Sequence, residues 1–219
     1  KGFIGSGNID TNSRLCMASA VAAHKQAFGA DLVPGCYEDL DLADLVVFCG
    51  HNAAWTHPVL FRRMAAPRAR GQRHVVLDPR RTDTAEVADL HLPIAPQADV
   101  RLWNGLLADL LRRGAVDRGY VAAHVAGFAE VEVALNAEDQ SAHAVARDCG
   151  VAEADLATFF QWFAETPRTV SLFSMGANQS AQGVAKGLAI LNVHLATGRI
   201  GKPGACPFSI TGQPNAMGG

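Results

Sequence analysis

The chain has 219 residues, 49% hydrophobic and 18% charged, which is enough to bury a substantial core as one large domain or two small ones. A net charge of −2 provides no basic field, which argues against nucleic acid and anionic membrane surfaces as partners. No apolar run approaches the roughly 18 residues of a membrane-spanning helix. The five cysteines form no C-x-x-C pair, which argues against a disulfide framework, a zinc site or an iron–sulfur cluster here and favours the cytoplasm.

The apolar pattern predicts helices that alternate with short strands along the chain. Strands are predicted at residues 45–49, 74–78, 90–94 and 169–175. Helices are predicted at 17–28, at 58–66, at 100–113 with Asp99 as the cap, at 152–165 and after Met175. This alternation predicts an α/β fold: a doubly wound, mostly parallel, Rossmann-like sheet with helices on both faces. A helical insertion at about 115–165 is expected within a single contiguous domain, residues 1–219.

Cys16 lies at the start of the first predicted helix. The free N–H groups and the positive end of the helix dipole favour the thiolate there, and Arg14 adds positive charge. A thiolate is a soft ligand that suits a soft or redox-active metal. Taken alone, a buried and inert cysteine is the ordinary alternative.

Three predicted loops follow strands, where α/β folds bind ligands. After the first strand, Gly50 allows a sharp turn, and small Ala53 and Ala54 allow a phosphate to approach the next helix; a plain strand-to-helix turn is the alternative. Asp78 ends the next strand, where an acidic residue can hold ribose hydroxyls, or can simply form a turn. Asp99 can face the two donors on the edge of a guanine, or can simply cap its helix.

Two segments near the C-terminus, residues 175–179 and 212–219, place amide side chains beside glycines. Such groups can hydrogen-bond a polar ligand without adding charge, although both segments also suit ordinary turns.

Taken in order, these segments resemble the molybdopterin oxidoreductases, and within that family the catalytic subunits of assimilatory nitrate reductases. The resemblance covers essentially all 219 residues. It rests on Asn12 with Cys16 and Met17, on the loop from Gly50 to Pro58, and on the segments 78–82, 97–99, 175–179, 194–204 and 212–214.

The resemblance implies a role for each matching residue. Cys16 would be the protein thiolate on molybdenum, and Met17 would line the substrate pocket. The reaction would be reduction of nitrate to nitrite by oxygen-atom transfer to molybdenum, chemistry that the cofactor carries. The residues that would hold the molybdenum-bis(molybdopterin guanine dinucleotide) are Asn12, Cys16, Cys49, Gly50, His51, Asn52, Ala53, Ala54, Trp55, Thr56, Asp78, Pro79, Arg80, Arg81, Thr82, Gln97, Ala98, Asp99, Met175 and Gln179.

The resemblance also implies that this chain is an internal piece of a larger, multidomain enzyme. A [4Fe–4S] cluster is expected in a preceding segment, and a further domain is expected to cover the other side of the cofactor. Electrons would come from an NADH/FAD subunit, a ferredoxin or a flavodoxin. By itself the chain is expected neither to reduce nitrate nor to retain the full cofactor. A cytoplasmic location is expected, with the periplasm as the alternative that relatives allow.

Three other functions remain open on the sequence. The first is a formate dehydrogenase-like molybdoenzyme, although such enzymes typically carry a proton-accepting histidine where this chain has Met17. The second is a non-catalytic scaffold of the same family, which would have no use for a thiolate at Cys16. The third is a free-standing nucleotide-binding module, which would bind GDP or GTP as the isolated chain.

Overall fold

The computed structural model describes residues 2–8 and 16–211. Its centre is a five-stranded, all-parallel sheet in the order β3-β2-β1-β4-β5. The strands are β1 (Leu45–Cys49), β2 (Arg73–Leu77), β3 (Leu90–Leu92), β4 (Thr169–Phe173) and β5 (Cys206–Ser209).

Helices occupy most of the chain between the strands. They are α1 (Ala18–Phe28), α2 (Tyr37–Leu42), α3 (Ala53–Thr56), α4 (Pro58–Arg63), α5 (Ala65–Ala69), α6 (Asp83–Glu86), α7 (Asp99–Arg112), α8 (Arg118–His124), α9 (Phe128–Asn136), α10 (Ala142–Cys149), α11 (Glu153–Glu165), α12 (Met175–Asn178) and α13 (Gly183–Ala196). The predicted helical stretch at 115–165 therefore forms α8 to α11. None of the described helices is both long and apolar enough to cross a membrane.

The sheet is covered on both faces, which explains why its central strand β1 is apolar throughout. All five residues of β1 are buried, and they alternate between two hydrophobic clusters. Val47 and Cys49 join the cluster that includes residues of α1, α7, α10, α11 and α13. Val46 and Phe48 join the opposite cluster, with Leu40 of α2, Ala85 of α6 and Met64, which lies between α4 and α5. The predicted doubly wound α/β fold is confirmed.

The strand order places a switch point between β1 and β4. β2 and β3 lie on one side of β1, and β4 and β5 lie on the other, so the connections after β1 and β4 diverge in opposite directions. Ligands of open α/β sheets bind in the crevice that this divergence leaves beyond the carboxyl ends of the strands.

The structure corrects several sequence predictions. Strand β5 and helix α2 were not predicted; β5 contains Pro207, a residue that weakens the pattern of a strand and is tolerated here at the sheet edge. Strand β4 ends at Phe173 rather than at 175, since the chain turns at once into α12.

The predicted cap of α7 is also wrong. The structure places Ala98 at the cap position, with no side-chain hydrogen bond, and Asp99 in the first turn. The Asp99 carboxylate is instead paired with Lys186 of α13.

Candidate functional site

Two glycines bring the backbones after β1 and β4 into contact at the switch point. The Gly176 N–H donates to the Gly50 carbonyl at 3.0 Å. Gly50 has φ +55, and a Cβ there would lie 2.7 Å from backbone atoms of Gly176 and Ala177. A Cβ on Gly176 would lie 2.6 Å from the Gly50 Cα. Only glycine fits at these positions, because any side chain would collide with the facing backbone.

A cleft of about 310 Å³ opens beside this contact. Its walls come from the carboxyl ends of β1, β2 and β4, from the loop after β3, and from α13. The cleft is lined by Gly50, Leu77, Asp78, Pro79, Arg80, Ile94, Ala95, Pro96, Gln97, Asp99, Gly176, Ser180 and Lys186. The predicted residues Gly50, Asp78, Pro79, Arg80, Gln97 and Asp99 therefore share one cavity.

A buried ion pair forms one wall of the cleft. The Lys186 Nζ lies 2.7 Å from Asp99 Oδ2, and the side chains are only 4% and 8% exposed. The Cys49 thiol donates to Asp99 Oδ1 at 3.7 Å. Burial raises the pKa of the Cys49 thiol, so this group stays protonated and acts as a donor rather than as a metal ligand.

Asp78 also lines the cleft and is buried. Its Oδ1 accepts from the Arg80 backbone N–H at 2.9 Å, which shapes the turn after β2. The side chains of Arg80 and Arg81 are exposed. Thr82 ends the turn, and its hydroxyl accepts from the Ala85 N–H at 3.4 Å as the cap of α6.

The loop before α7 carries backbone strain. Among the described residues, Gln97 is the one non-glycine in the left-handed region, with φ 74. Its side chain is exposed at the cleft, whereas the neighbouring Ala98 is buried. Strain of this kind persists where the surrounding structure imposes it, often beside ligand sites.

Sulfur atoms gather at the same edge of the sheet, beyond β4 and β5. The Cys16 Sγ lies 3.2 Å from the Met175 Sδ and 3.7 Å from Thr211 Oγ1. Cys16 is partly buried and lies two residues before α1. The predicted Cys16 and Met175 are thus neighbours, although 159 residues separate them in the chain.

Three other predicted residues belong to this region. The structure describes two of them, and the third lies outside the described residues. Met17 is buried, and its Sδ accepts from Asn178 Nδ2 at 3.5 Å, so it packs in the core. Gln179 is exposed at the end of α12. Asn12 lies outside the described residues, as does the segment 212–219.

Most of the loop after Gly50 packs away from the cleft and against α6. Thr84 organises it: its hydroxyl donates to Asn52 Oδ1 at 2.8 Å and accepts from the Ala54 N–H at 3.0 Å. The exposed Trp55 indole donates to Asp83 at 2.6 Å. Elsewhere in this loop, the side chains of His51 and Ala53 are buried and that of Thr56 is exposed.

His51 illustrates how strongly this loop is buried. Its Nε2 lies 2.8 Å from His57 Nδ1. Burial lowers the pKa of His51 to about 3, with a smaller contribution from His57, so the ring is neutral at physiological pH.

Sequence reasoning missed Lys186, Thr84 and Thr211. A signal was present for Lys186, which is the one lysine or arginine in the mostly apolar α13. No comparable signal marks Thr84 or Thr211, because their roles depend on contacts between distant segments.

Comparison with known proteins identifies the family of the chain. The model of the family "Molybdopterin oxidoreductase" matches residues 1–218. The chain belongs to the molybdopterin oxidoreductase family.

Curated members of this family that resemble the chain are nitrate reductases. The chain is 51% identical to the nitrate reductase of Klebsiella oxytoca and 50% identical to that of Shewanella frigidimarina, in each case over its whole length. It spans about a quarter of these relatives, 25% and 24% of their lengths.

A solved structure has a fold similar to that of this chain. Acetylene hydratase from Pelobacter acetylenicus superposes with a TM-score of 0.78 over 94% of this chain and 28% of that protein, at 22% identity. At this identity the similarity speaks for the shared fold only.

Proposed function

We propose that this chain forms part of the catalytic subunit of a molybdenum nitrate reductase that reduces nitrate to nitrite. The nitrate reductases among its relatives support the reaction class. The observation that carries the proposal is the position of Cys16, whose sulfur lies at the same edge of the sheet as the cleft between β1 and β4.

The residues present suit a molybdenum cofactor with a pterin guanine dinucleotide. Close backbone approach at Gly50 and Gly176 leaves room for an extended ligand at the switch point. The Cys16 thiol, beside the Met175 thioether, is a soft donor of the kind that suits molybdenum. Asp78 would hold ribose hydroxyls, and Asp99 would accept from the guanine edge.

The chemistry of the reaction resides in the cofactor. When bound, the molybdenum centre supplies the redox chemistry that converts nitrate, two protons and two electrons into nitrite and water. The contribution of this chain is to hold the cofactor through the cleft and to provide the Cys16 thiolate. Met17, next to that thiolate, would support the substrate pocket from the core side.

Further parts of the enzyme belong to the proposal. We place a [4Fe–4S] cluster and an electron donor, either an NADH/FAD subunit, a ferredoxin or a flavodoxin, outside this chain. A cytoplasmic location is proposed because all five cysteines are free thiols, as a reducing compartment would keep them. Fractionation of the native host tests the location.

Replacing Cys16 tests the proposed metal ligand. In the complete enzyme that contains this chain, Cys16→Ala should abolish nitrate reduction and lower the molybdenum content per polypeptide, because the thiolate is lost. Cys36→Ser is the matched control, since Cys36 is an exposed thiol at the start of α2. Wild-type molybdenum content and turnover in Cys16→Ala would show that Cys16 is not the ligand.

Assays of the complete enzyme, with nitrate and an electron donor or with formate and an electron acceptor, distinguish nitrate reduction from formate oxidation; we expect turnover with nitrate. The isolated 219-residue chain should show no nitrate reduction and no stoichiometric molybdenum, because part of the cofactor's binding surface lies outside it. Tight binding of GDP by the isolated chain would favour a free-standing nucleotide-binding module instead.

A further inference from the structure

The buried pair of Lys186 and Asp99 is costly for the fold. Removing two charged groups from water is often not repaid by their attraction, and apolar residues of similar size can be as stable or more so. Apart from Asn192 and His194, the other residues of α13 are apolar, and the helix packs against α1 and α7, so a hydrophobic side chain would suit position 186. Stability alone therefore gives little reason for a lysine there.

The geometry of the pair suggests what the lysine does. Lys186 occupies Oδ2 of Asp99 at 2.7 Å, and the weak thiol donor of Cys49 faces Oδ1 at 3.7 Å. A carboxylate offers about four acceptor positions, so capacity remains for donors of a ligand. Both Lys186 and Asp99 line the cleft, so a ligand there meets a carboxylate that is already fixed in orientation.

The protonation state of Asp99 decides which ligand edge it can recognise. An ionised carboxylate only accepts hydrogen bonds, and it matches the N1–H and exocyclic amine of a guanine. A protonated carboxyl group carries an O–H donor, which opposes the two N–H donors of the guanine. A buried carboxylate without a cation is neutralised by taking up a proton.

The other titratable groups near Asp99 do not replace the lysine. Cys49 and Cys149 are neutral thiols whose pKa values are raised by burial, that of Cys149 to about 11. Asp78, which also lines the cleft, is itself acidic, and Arg80 is an exposed side chain whose Nε lies 3.7 Å from Asp78 Oδ1.

We infer that Lys186 is a positioning residue that keeps Asp99 ionised and oriented, and thereby makes this end of the cleft selective for a guanine. This inference rests on the proposed function, in which the cleft holds the guanine end of the cofactor. It adds a residue that acts on the ligand through Asp99 rather than by direct contact.

The test uses the complete enzyme and a chemical readout. Purified wild type, Lys186→Met, Lys186→Gln and Lys186→Arg are equilibrated at pH values from about 6 to about 9, the range in which buried unpaired carboxyl groups ionise. Released small molecules are removed, and the GMP freed from the retained cofactor by acid hydrolysis is quantified per polypeptide, alongside molybdenum.

Lys202→Met is the matched control, since Lys202 makes an exposed ion pair with Asp117 at 3.8 Å. Lys186→Gln keeps a hydrogen-bond donor without charge, so it serves if the methionine variant does not fold.

We expect Lys186→Met and Lys186→Gln to retain roughly tenfold less GMP than wild type near neutral pH. In these variants the N–H donors of the guanine would face the O–H donor of a protonated carboxyl group. Retention in these two variants should recover as the pH rises, because a buried carboxyl group without a cation ionises only at higher pH. Lys186→Arg and Lys202→Met should behave like wild type.

Two results would overturn the inference alone: wild-type GMP retention in the methionine and glutamine variants at every pH, or an equal loss at every pH. The second would mean that the lysine only supports the packing. A wild-type enzyme that releases no GMP would instead refute the guanine-bearing cofactor of the proposed function.

Discussion

At the scale of single residues, the close backbone contact between Gly50 and Gly176 determines the shape of the site. Both glycines have backbone atoms within van der Waals reach of each other, so the floor of the cleft is main chain rather than side chain. A ligand can then meet peptide groups directly, which is the usual reason for glycine at such a turn.

Gly50→Ala should therefore lower the free energy of unfolding by about 2–4 kcal/mol, through left-handed strain and collision with the facing backbone. Gly114→Ala separates the two causes, because Gly114 has φ +69 but open space around it. Strain alone should cost about 1 kcal/mol there. Equal losses for both variants in denaturant unfolding would disprove the close contact.

At the scale of elements, the packing of α1 on α13 positions Cys16. Gly183 and Gly187 lie one turn apart on α13 and face Ser19 and Ala23 on α1. A Cβ on Gly187 would lie 2.9 Å from the Ala23 Cβ. The two helices approach this closely only because their facing residues are small, and Cys16 lies just before α1.

Gly187→Leu should push α1 outward, destabilise the chain by about 1–3 kcal/mol and lower the molybdenum content of the complete enzyme. Leucine favours a helix more than glycine does, so any loss must come from packing. Ala185→Leu, on the exposed side of the same helix, is the control and should change neither quantity. Thermal unfolding and metal analysis check both variants; an unchanged Gly187→Leu protein would show that α1 is not held this way.

At the scale of the whole molecule, buried neutral histidines couple stability to pH. Burial lowers the pKa values of His51 and His74 to about 3, from 6.5 for a free side chain. It also lowers the pKa of His194, whose Nε2 pairs with Ser171 Oγ at 2.9 Å. As the pH falls below 6.5, the unfolded chain binds protons that the folded chain does not.

The free energy of unfolding should therefore decrease between pH 6.5 and about 3. Each buried histidine should contribute up to about 1.4 kcal/mol per pH unit. His74→Gln should flatten this slope by one histidine, whereas His124→Gln, at an exposed position in α8, should leave it unchanged. Denaturant unfolding at a series of pH values measures the slopes; identical slopes for His74→Gln and wild type would contradict the prediction.

The fold class was predictable because strands covered on both faces are largely apolar rather than alternating. The runs at β1, β2 and β4 show this, and their alternation with helices requires parallel pairing. Strand β5 was not predictable in this way, because Pro207 interrupts the apolar pattern of a strand. The segment is a strand because it pairs with β4. The cleft residues Gly50, Asp78 and Asp99 were predictable from their position after strands, because parallel strands end at one edge.

By itself, the sequence determined the parallel sheet, the loops at its carboxyl edge and the family to which the chain belongs, since these follow from local patterns and ordered motifs. Only the tertiary structure decided that Asp99 pairs with Lys186 rather than capping α7, and that Cys16 meets Met175 across 159 residues of chain. The physical reason is that contacts between residues far apart in the chain depend on how helices pack against the sheet. No local pattern of residues records that packing.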